Sequence, residues 1–464
     1  MNGRILGIDI GSFKITAIIA ERTDSGLNVI GVGTQKAQGV KKGVINNIEL
    51  AAKSIKEALT SAQRVAGTEF EQVIVSISGA YTKSIESSGY VNIPEHDINL
   101  SEIRRAMQMA DEAANIPAGY EKIHILPYSF KVDNQADIED PLGMNGARLE
   151  VLTHIIIAEK SPILNLRKAV SLAGVEIDNL VLSGYASAIA TLTDDEKELG
   201  AAVVDMGGET CNVVIHSGNS LRYNDFLEVG SNTITYDLSR MLHTPVPQAE
   251  EIKLNYSSYI SKSLDVVDVA KIGEDKIEQI SLKVILDIIY ARIHETVAVL
   301  AKSLANSGRE ELAGAGIVIT GGMTKLDGIR RIASAIFDKP VRIARPKPVG
   351  GLYEMINDPA YSCAVGLCMY GAGGFTQYEF DSEKNMRYKG EVLKTKQKSF
   401  KSLLEPEISK NQTEPSYTVI EELTANISSE RDDLSEIATI NKESTSFGLG
   451  GWFKNIWNKI TQLF

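Results

Sequence analysis

Apolar positions along the chain follow two periods. Short apolar runs such as Arg4–Ile10 and Lys14–Ala20 carry consecutive Ile, Leu and Ala residues, the pattern of strands buried on both faces. The Gly11-Ser12 step between them marks a tight turn. Val73–Ser78 is a further run of this kind. From Ile48 to Val65 the spacing changes. Ile48, Ala51, Ile55, Ala58, Leu59 and Ala62 share one helical face, and Asn47 stands where a cap belongs. Strands alternating with helices in this way predict α/β layers.

Other stretches differ. Between Thr82 and Glu159 an amphipathic helix around Ser101–Ala114 precedes the extended segments His124–Val132 and Glu150–Ala158, which predicts a small inserted α+β subdomain. Residues 246–310 are helix-dominated, with Ile285, Ile288, Ile289, Ile293, Val297, Leu300 and Leu304 at helical spacing. From about Thr376 to Ser446 the chain is rich in Lys, Glu, Ser, Thr and Asn. A segment of that composition cannot bury enough apolar surface to offset its ordering entropy, so a flexible linker is predicted.

The last eighteen residues turn apolar again. Leu449, Trp452, Phe453, Ile456, Trp457, Ile460, Leu463 and Phe464 lie at offsets 0, 3, 4, 7, 8, 11, 14 and 15, one continuous helical face. The other face carries Lys454 and Lys459 and no acid, and both tryptophans of the chain are here. That combination suits an anionic phospholipid surface. A helix docking into a protein groove would show the same stripe. A single such helix binds lipid reversibly, and side-by-side polymerisation would multiply the attachment.

Composition narrows the picture. The 464 residues predict two to four units. A net charge of -12 argues against nucleic acid as a partner, since that needs a basic face. The three cysteines have no C-x-x-C spacing, so neither a disulfide framework nor a structural zinc is expected. Neither a signal peptide nor an apolar stretch of membrane-spanning length is apparent, so any membrane contact is expected to be peripheral.

The chemistry concentrates in a repeated motif. Gly7-Ile-Asp9-Ile-Gly11-Ser12-Phe-Lys14 and Val204-Asp205-Met-Gly207-Gly208-Glu-Thr210 both place an Asp at a strand end, then a Gly turn and a hydroxyl residue. A turn Gly lets backbone N–H groups approach phosphate oxygens, and Ser12 and Thr210 add hydroxyls. Asp9 and Asp205 suit a magnesium ion held through water. A single such hairpin is equally a plain β-turn; two that match predict a nucleotide gripped from both sides. A third element, Gly316-Ile-Val-Ile-Thr320-Gly321-Gly322-Met323, is a strand ending in a glycine pair, with a helix expected from Leu326.

Strand–Asp-x-Gly, Asp-x-Gly-Gly and Thr-Gly-Gly in this order resemble the actin, sugar-kinase and heat-shock-chaperone superfamily. Asp178-Asn179 through Ala188 and Tyr361 through Leu367 resemble its interlobe helices, and Ala249-Glu250-x-x-Lys253 its adenosine contact. An exposed helical pair would explain Glu250 and Lys253 as well. Asp140-Pro141-Leu-Gly143-Met144-x-Gly146-x-x-Leu149 and Gly39-x-x-x-Gly43-Val-Ile-Asn46 resemble, more narrowly, the FtsA family of bacterial cell-division proteins.

The resemblance implies a two-lobed actin-like ATPase fold. Residues 1–81, 161–198 and 361–375 would form the first lobe, and 82–160 the inserted subdomain. The second lobe would comprise 199–245 and 313–360, with a small helical subdomain at 246–312. A linker at 376–446 and an amphipathic helix at 447–464 would follow.

It implies ATP and Mg2+ held by Gly11, Ser12, Lys14, Asp205, Gly207, Gly208, Thr210, Gly230, Glu250, Lys253, Gly321, Gly322 and Met323. The catalytic position of the family's relatives falls on Asn179, beside Asp9 as an orienter of water. Asn cannot act as a base, so slow turnover is expected; a plain turn or capping role fits Asn179 as well. The resemblance also implies filaments of this chain at the division site on the cytoplasmic face of the inner membrane. These would grip the C-terminal peptide of the tubulin-like protein FtsZ and recruit later division proteins. Arg292 matches a family arginine at the peptide contact, though an exposed helical Arg needs no partner. A pilus-assembly actin homologue and a sugar kinase are the competing readings; neither has reason for the apolar tail.

Overall fold

The computed structural model describes residues 3–23, 26–218, 220–273 and 277–391. The remaining linker positions and the helix expected at 447–464, with Trp452 and Trp457, lie outside the described residues.

Two sheets are built on one plan. In the first, Arg4–Ile10 pairs antiparallel with Lys14–Thr23, which pairs antiparallel with Gly26–Lys36. On its other side Arg4–Ile10 runs parallel to Gln72–Ile77, and that strand parallel to Asn179–Leu182. The second sheet repeats this order with Ala201–Met206 at its centre. Cys211–Ser217 and Ser220–Leu227 flank it on one side, Ile317–Thr320 and Val341–Ile343 on the other. The duplication extends to register: Asp9 faces Thr16 and Asp205 faces Asn212 at equivalent rungs. Each central strand is buried on both faces, which is why both read as continuous apolar runs.

The helix expected over 48–65 spans Ile48–Ala66, capped by Asn47 and closed by Gly67 in the left-handed region. Ala51, Ile55, Ala58, Leu59 and Ala62 are buried beneath it. Between the lobes, helices Ser183–Thr191 and Ser362–Met369 cross in close contact. A Cβ on Gly366 would lie 1.9 Å from the Ala186 carbonyl oxygen, so only glycine permits this approach.

The inserted subdomain forms as expected, with Leu100–Ala113 packed on a sheet of Thr82–Asn92, Arg148–Glu159 and Tyr120–Val132. Three boundaries need correction. The linker does not start at Thr376: Tyr378–Phe380 and Met386–Tyr388 form a hairpin that extends this sheet next to Tyr120–Val132. Second, the chain rejoins the first lobe before residue 361, because Gly350–Gly351 pairs with Gly26–Lys36 and Ile356 packs against Ile18 and Val29. Third, the helix expected from Leu326 is a 3-10 turn at Gly322–Lys325, followed by an α-helix at Ile329–Phe337. Besides its two helices, Val246–Ser261 and Leu282–Asn306, the small subdomain of the second lobe carries a two-stranded sheet, Val266–Ala270 with Ile277–Ser281.

His154 joins the inserted subdomain to the second lobe through a 3.0 Å bond from Nε2 to Asn224 Oδ1. Its Nδ1 is buried without a partner among the described residues. Burial, more than any neighbour, holds its pKa down to about 4; the Asn224 bond and Glu86 act upward, and Arg309 and Arg222 downward. The imidazole therefore stays neutral in the fold while the unfolded chain takes up a proton below pH 6.5. Stability is lost as pH falls from that value toward 4, by about 2 kcal/mol between pH 6.5 and 5. Denaturant titrations at the two pH values check this: His154→Gln should lose about that much less than the parent, and equal losses would remove His154 as the cause.

Candidate nucleotide site

Both aspartates end central strands and meet at one cavity of about 490 Å³ between the lobes. Asp9, Gly11, Ser12 and Lys14 line it from the first lobe, and Asp205, Gly207, Gly208 and Thr210 from the second. The two turns touch: a Cβ on Gly208 would lie 2.7 Å from Phe13 Cβ. Each turn has the same internal bond, Gly11 N–H to the Lys14 carbonyl at 3.2 Å and Gly207 N–H to the Thr210 carbonyl at 2.8 Å. The volume falls within the range typical of small-molecule sites.

Burial pushes the Asp9 carboxyl upward, against the opposing pull of Cys363, Ser76 and Lys14. Asp205 is raised to about 6, chiefly by burial and further by Asp9, although Ser187 donates to its Oδ2 at 2.6 Å. The Asp205 carboxyl therefore senses the charge of Asp9 across the cleft. Lys14 lines the same cavity, its Nζ 3.5 Å above the Tyr361 ring, with its pKa lowered by burial.

The third element closes the floor. Gly321 adopts φ +90°, and a Cβ there would lie 2.4 Å from Asp205 Oδ1. Gly321, Gly322 and Met323 all line the cavity. Glu250 and Lys253 also line it, and Lys253 is 3% exposed, so the pair is not a solvent-facing one. Lys253 Nζ is 2.8 Å from Glu250 Oε2 and donates to Thr235 Oγ1 at 2.9 Å. Gly230 is not in the lining. It sits directly behind Gly208, whose carbonyl oxygen would be 2.5 Å from a Cβ at 230, and so braces the second turn.

Asn179 requires a correction. It is the first residue of the buried strand Asn179–Leu182 and donates to Asp381 Oδ2 at 2.8 Å. Its side chain fastens the hairpin after residue 376 and does not line the nucleotide cavity. The helix begins at Ser183, and Ser183, Ser78, Asn212, Ser231, Asp358 and Cys363 are lining residues that motif matching missed. Serines and an asparagine are too common in turns to stand out; Ser78 and Asn212 adjoin the two hairpins but carry no spacing of their own. The Gly39–Asn46 stretch also reaches the site. Gly43 N–H donates to Ser12 Oγ at 2.8 Å, and Lys42 bridges to the second lobe through its N–H to Glu209 Oε2 at 2.6 Å.

Arg292 lies away from this cleft, on the helix Leu282–Asn306. Its Nε holds Asp237 at 2.6 Å and its Nη1 contacts Glu295.

Two duplicated lobes, each offering an Asp and a glycine turn to a shared cleft, with two helices crossing between them, define an actin-like ATPase fold. Residues 202–366 match the family described as cell division protein FtsA, and 79–157 match the SHS2 domain inserted in FtsA. The chain is 38% identical to the cell division protein FtsA of Helicobacter pylori J99 over 99% of both chains. It is 36% identical to that of Pseudomonas aeruginosa over 79% of this chain and 89% of the relative. With the Escherichia coli K12 protein it shares 29% over 82% and 93%. The chain belongs to the FtsA family. Among solved structures, a PilM-PilN type IV pilus biogenesis complex superposes with a TM-score of 0.57 at 18% identity, covering 79% of this chain and 98% of that one. At that identity the likeness is one of fold alone, so it gives the pilus reading no support over the family match.

Proposed function

We propose that this cell-division protein binds ATP with Mg2+ in the interlobe cleft and assembles into actin-like filaments. These filaments are held to an anionic membrane by the helix at 447–464 and grip the FtsZ C-terminal peptide near Arg292. The observation that carries the reading is the meeting of Asp9 and Asp205, with both glycine turns, at one cavity.

The turns would receive the phosphates: the backbone at Gly11 and Gly207 approaches without side-chain obstruction, and Ser12, Thr210 and Lys14 supply polar hydrogens and a positive charge. Glu250 and Lys253 lie where the nucleoside would rest. The donor set fits magnesium. Among the described residues no group of three His, Cys, Asp or Glu could hold a metal, but magnesium keeps several waters and needs only one or two carboxylates plus phosphate. Asp9 and Asp205 are that pair, and the upward push of Asp9 on Asp205 is what a cation between them would relieve. The ion would supply charge neutralisation at the phosphates. Among the described residues neither glutamine nor histidine lines the cavity and Asn179 stands outside it, which supports slow turnover.

Among the described residues no helix is long and apolar enough to cross a membrane. The membrane part of the proposal therefore rests on the C-terminal stripe, and vesicle sedimentation tests it. Full-length protein should pellet with vesicles of anionic lipid, more so with ATP, and a chain ending before Phe447 should stay in the supernatant. Equal pelleting of the two would remove the tether. A labelled FtsZ C-terminal peptide should bind full-length protein and bind Arg292→Glu at least tenfold more weakly; unchanged affinity would place the contact elsewhere.

A further inference from the structure

On the face where the lobes are joined, two segments bring lysines to one small cavity, and a third lysine stands beside one of them. Lys197 lies on the helix Asp194–Leu199, within the first crossing between the lobes. Lys389 follows the strand Met386–Tyr388 of the C-terminal hairpin and is held there by its N–H to the Gln377 carbonyl at 3.0 Å. Lys347 lies on the return crossing, its N–H donating to the Ala190 carbonyl at 2.8 Å, and its side chain meets that of Lys197.

His216 lines the same cavity from the second sheet and is 6% exposed. Its Nδ1 has no hydrogen-bond partner among the described residues. A buried polar atom left in this way calls for a ligand or water.

The acids nearby do not cancel the charge. Asp194 is 3.7 Å from Lys197 Nζ and almost wholly in water. Glu196 is already held by Arg342 through two bonds, at 2.5 and 2.6 Å. Bringing like charges together is unfavourable without a counter-charge. The strain shows in Lys197, whose ammonium is held down to about 8 by burial, then by Lys347 and Lys389. Lys347 is lowered as well, first by burial. The cavity measures about 40 Å³. That holds about three water molecules, or one small oxyanion headgroup.

We propose that Lys197, Lys389 and His216, with Lys347 beside Lys197, form a binding site for a small oxyanion of the phosphate or carboxylate type, separate from the nucleotide cleft. Neutral imidazole with a proton on Nδ1 would donate to the anion, and the lysines would supply its charge balance. A bound anion would tie the two interlobe crossings to the hairpin of the inserted subdomain. This inference does not depend on the proposed function.

Residue-resolved lysine acetylation tests it on the full-length chain, at pH 7.5 and constant ionic strength. Mg2+-ADP is kept saturating so that the cleft is not the site read. One arm adds 20 mM inorganic phosphate and the other acetate, which separates the two anion types. In their absence Lys197 should label fast, because a larger share of it is neutral. With the bound anion, labelling of Lys197 and Lys347 should fall about fivefold or more, while the exposed Lys53 and Lys56 are unchanged. Lys389→Gln, a change on a surface hairpin, should weaken that protection. Equal labelling with and without both anions would overturn the proposal, and so would full protection in Lys389→Gln.

Discussion

Gly207→Asp is expected to lower ATP affinity by about 100-fold or more while leaving the fold intact. Gly207 N–H closes the second turn onto Thr210, and its carbonyl accepts from Ser231 N–H at 3.0 Å, so the backbone is fixed from both sides. A Cβ there would lie 2.9 Å from the Thr210 carbonyl oxygen, a backbone atom, so the turn itself must move to admit the side chain. The added carboxylate, however, points its charge at the place proposed for the phosphates. Two unit charges about 4 Å apart at an effective dielectric near 20 repel by about 4 kcal/mol, and each ~1.4 kcal/mol is a factor of ten. Titration calorimetry with Mg2+-ATP reads the affinity, and circular dichroism checks the fold. Unchanged affinity with an intact spectrum would mean the second turn does not hold the nucleotide.

Glu379→Ala is expected to destabilise the first lobe by about 3–5 kcal/mol. Glu379 is 0% exposed and is bonded by three groups from other elements. His124 Nδ1 meets its Oε1 at 3.0 Å, Tyr185 donates to Oε2 at 3.0 Å, and Tyr370 donates to Oε1. The His124 Nε2 accepts from Leu182 N–H, which leaves Nδ1 as the donor. Removing the carboxylate strands these donors in a site that water does not reach, and breaking such a network costs far more than one exposed bond. Chemical denaturation monitored by tyrosine fluorescence measures it. A loss under 1 kcal/mol would show that the network is dispensable. The same packing predicts that a chain ending at Phe375 behaves like the Glu379 variant.

The site and the fold were legible in the sequence to different depths. Hairpins at Asp9 and Asp205 could be found because phosphate approach demands glycine at fixed spacing from a strand-ending carboxylate, and few other demands produce that repeat. Helix Ile48–Ala66 was legible because one face repeats at 3.6 residues and Asn47 caps it. Asn179 was misplaced because its neighbours are apolar in a strand and in a helix alike; only its bonds to Asp381 and Ser382 reveal its role. The hairpin after Thr376 was missed for a related reason. Composition judged over a long window diluted Tyr378, Phe380 and Tyr388, the residues that pack on the inserted sheet.

The two-lobed plan followed from the family resemblance; by itself the sequence determined the paired glycine turns, the inserted subdomain and the apolar C-terminal stripe. Each of these is written in local spacing, because backbone geometry and one-sided burial act within a few residues. Tertiary structure alone decided that Asp9 and Asp205 share a cavity, that Asn179 fastens a hairpin, and that Lys197, Lys347 and Lys389 converge. Those outcomes depend on which distant segments pack together, and local periodicity carries no record of that choice.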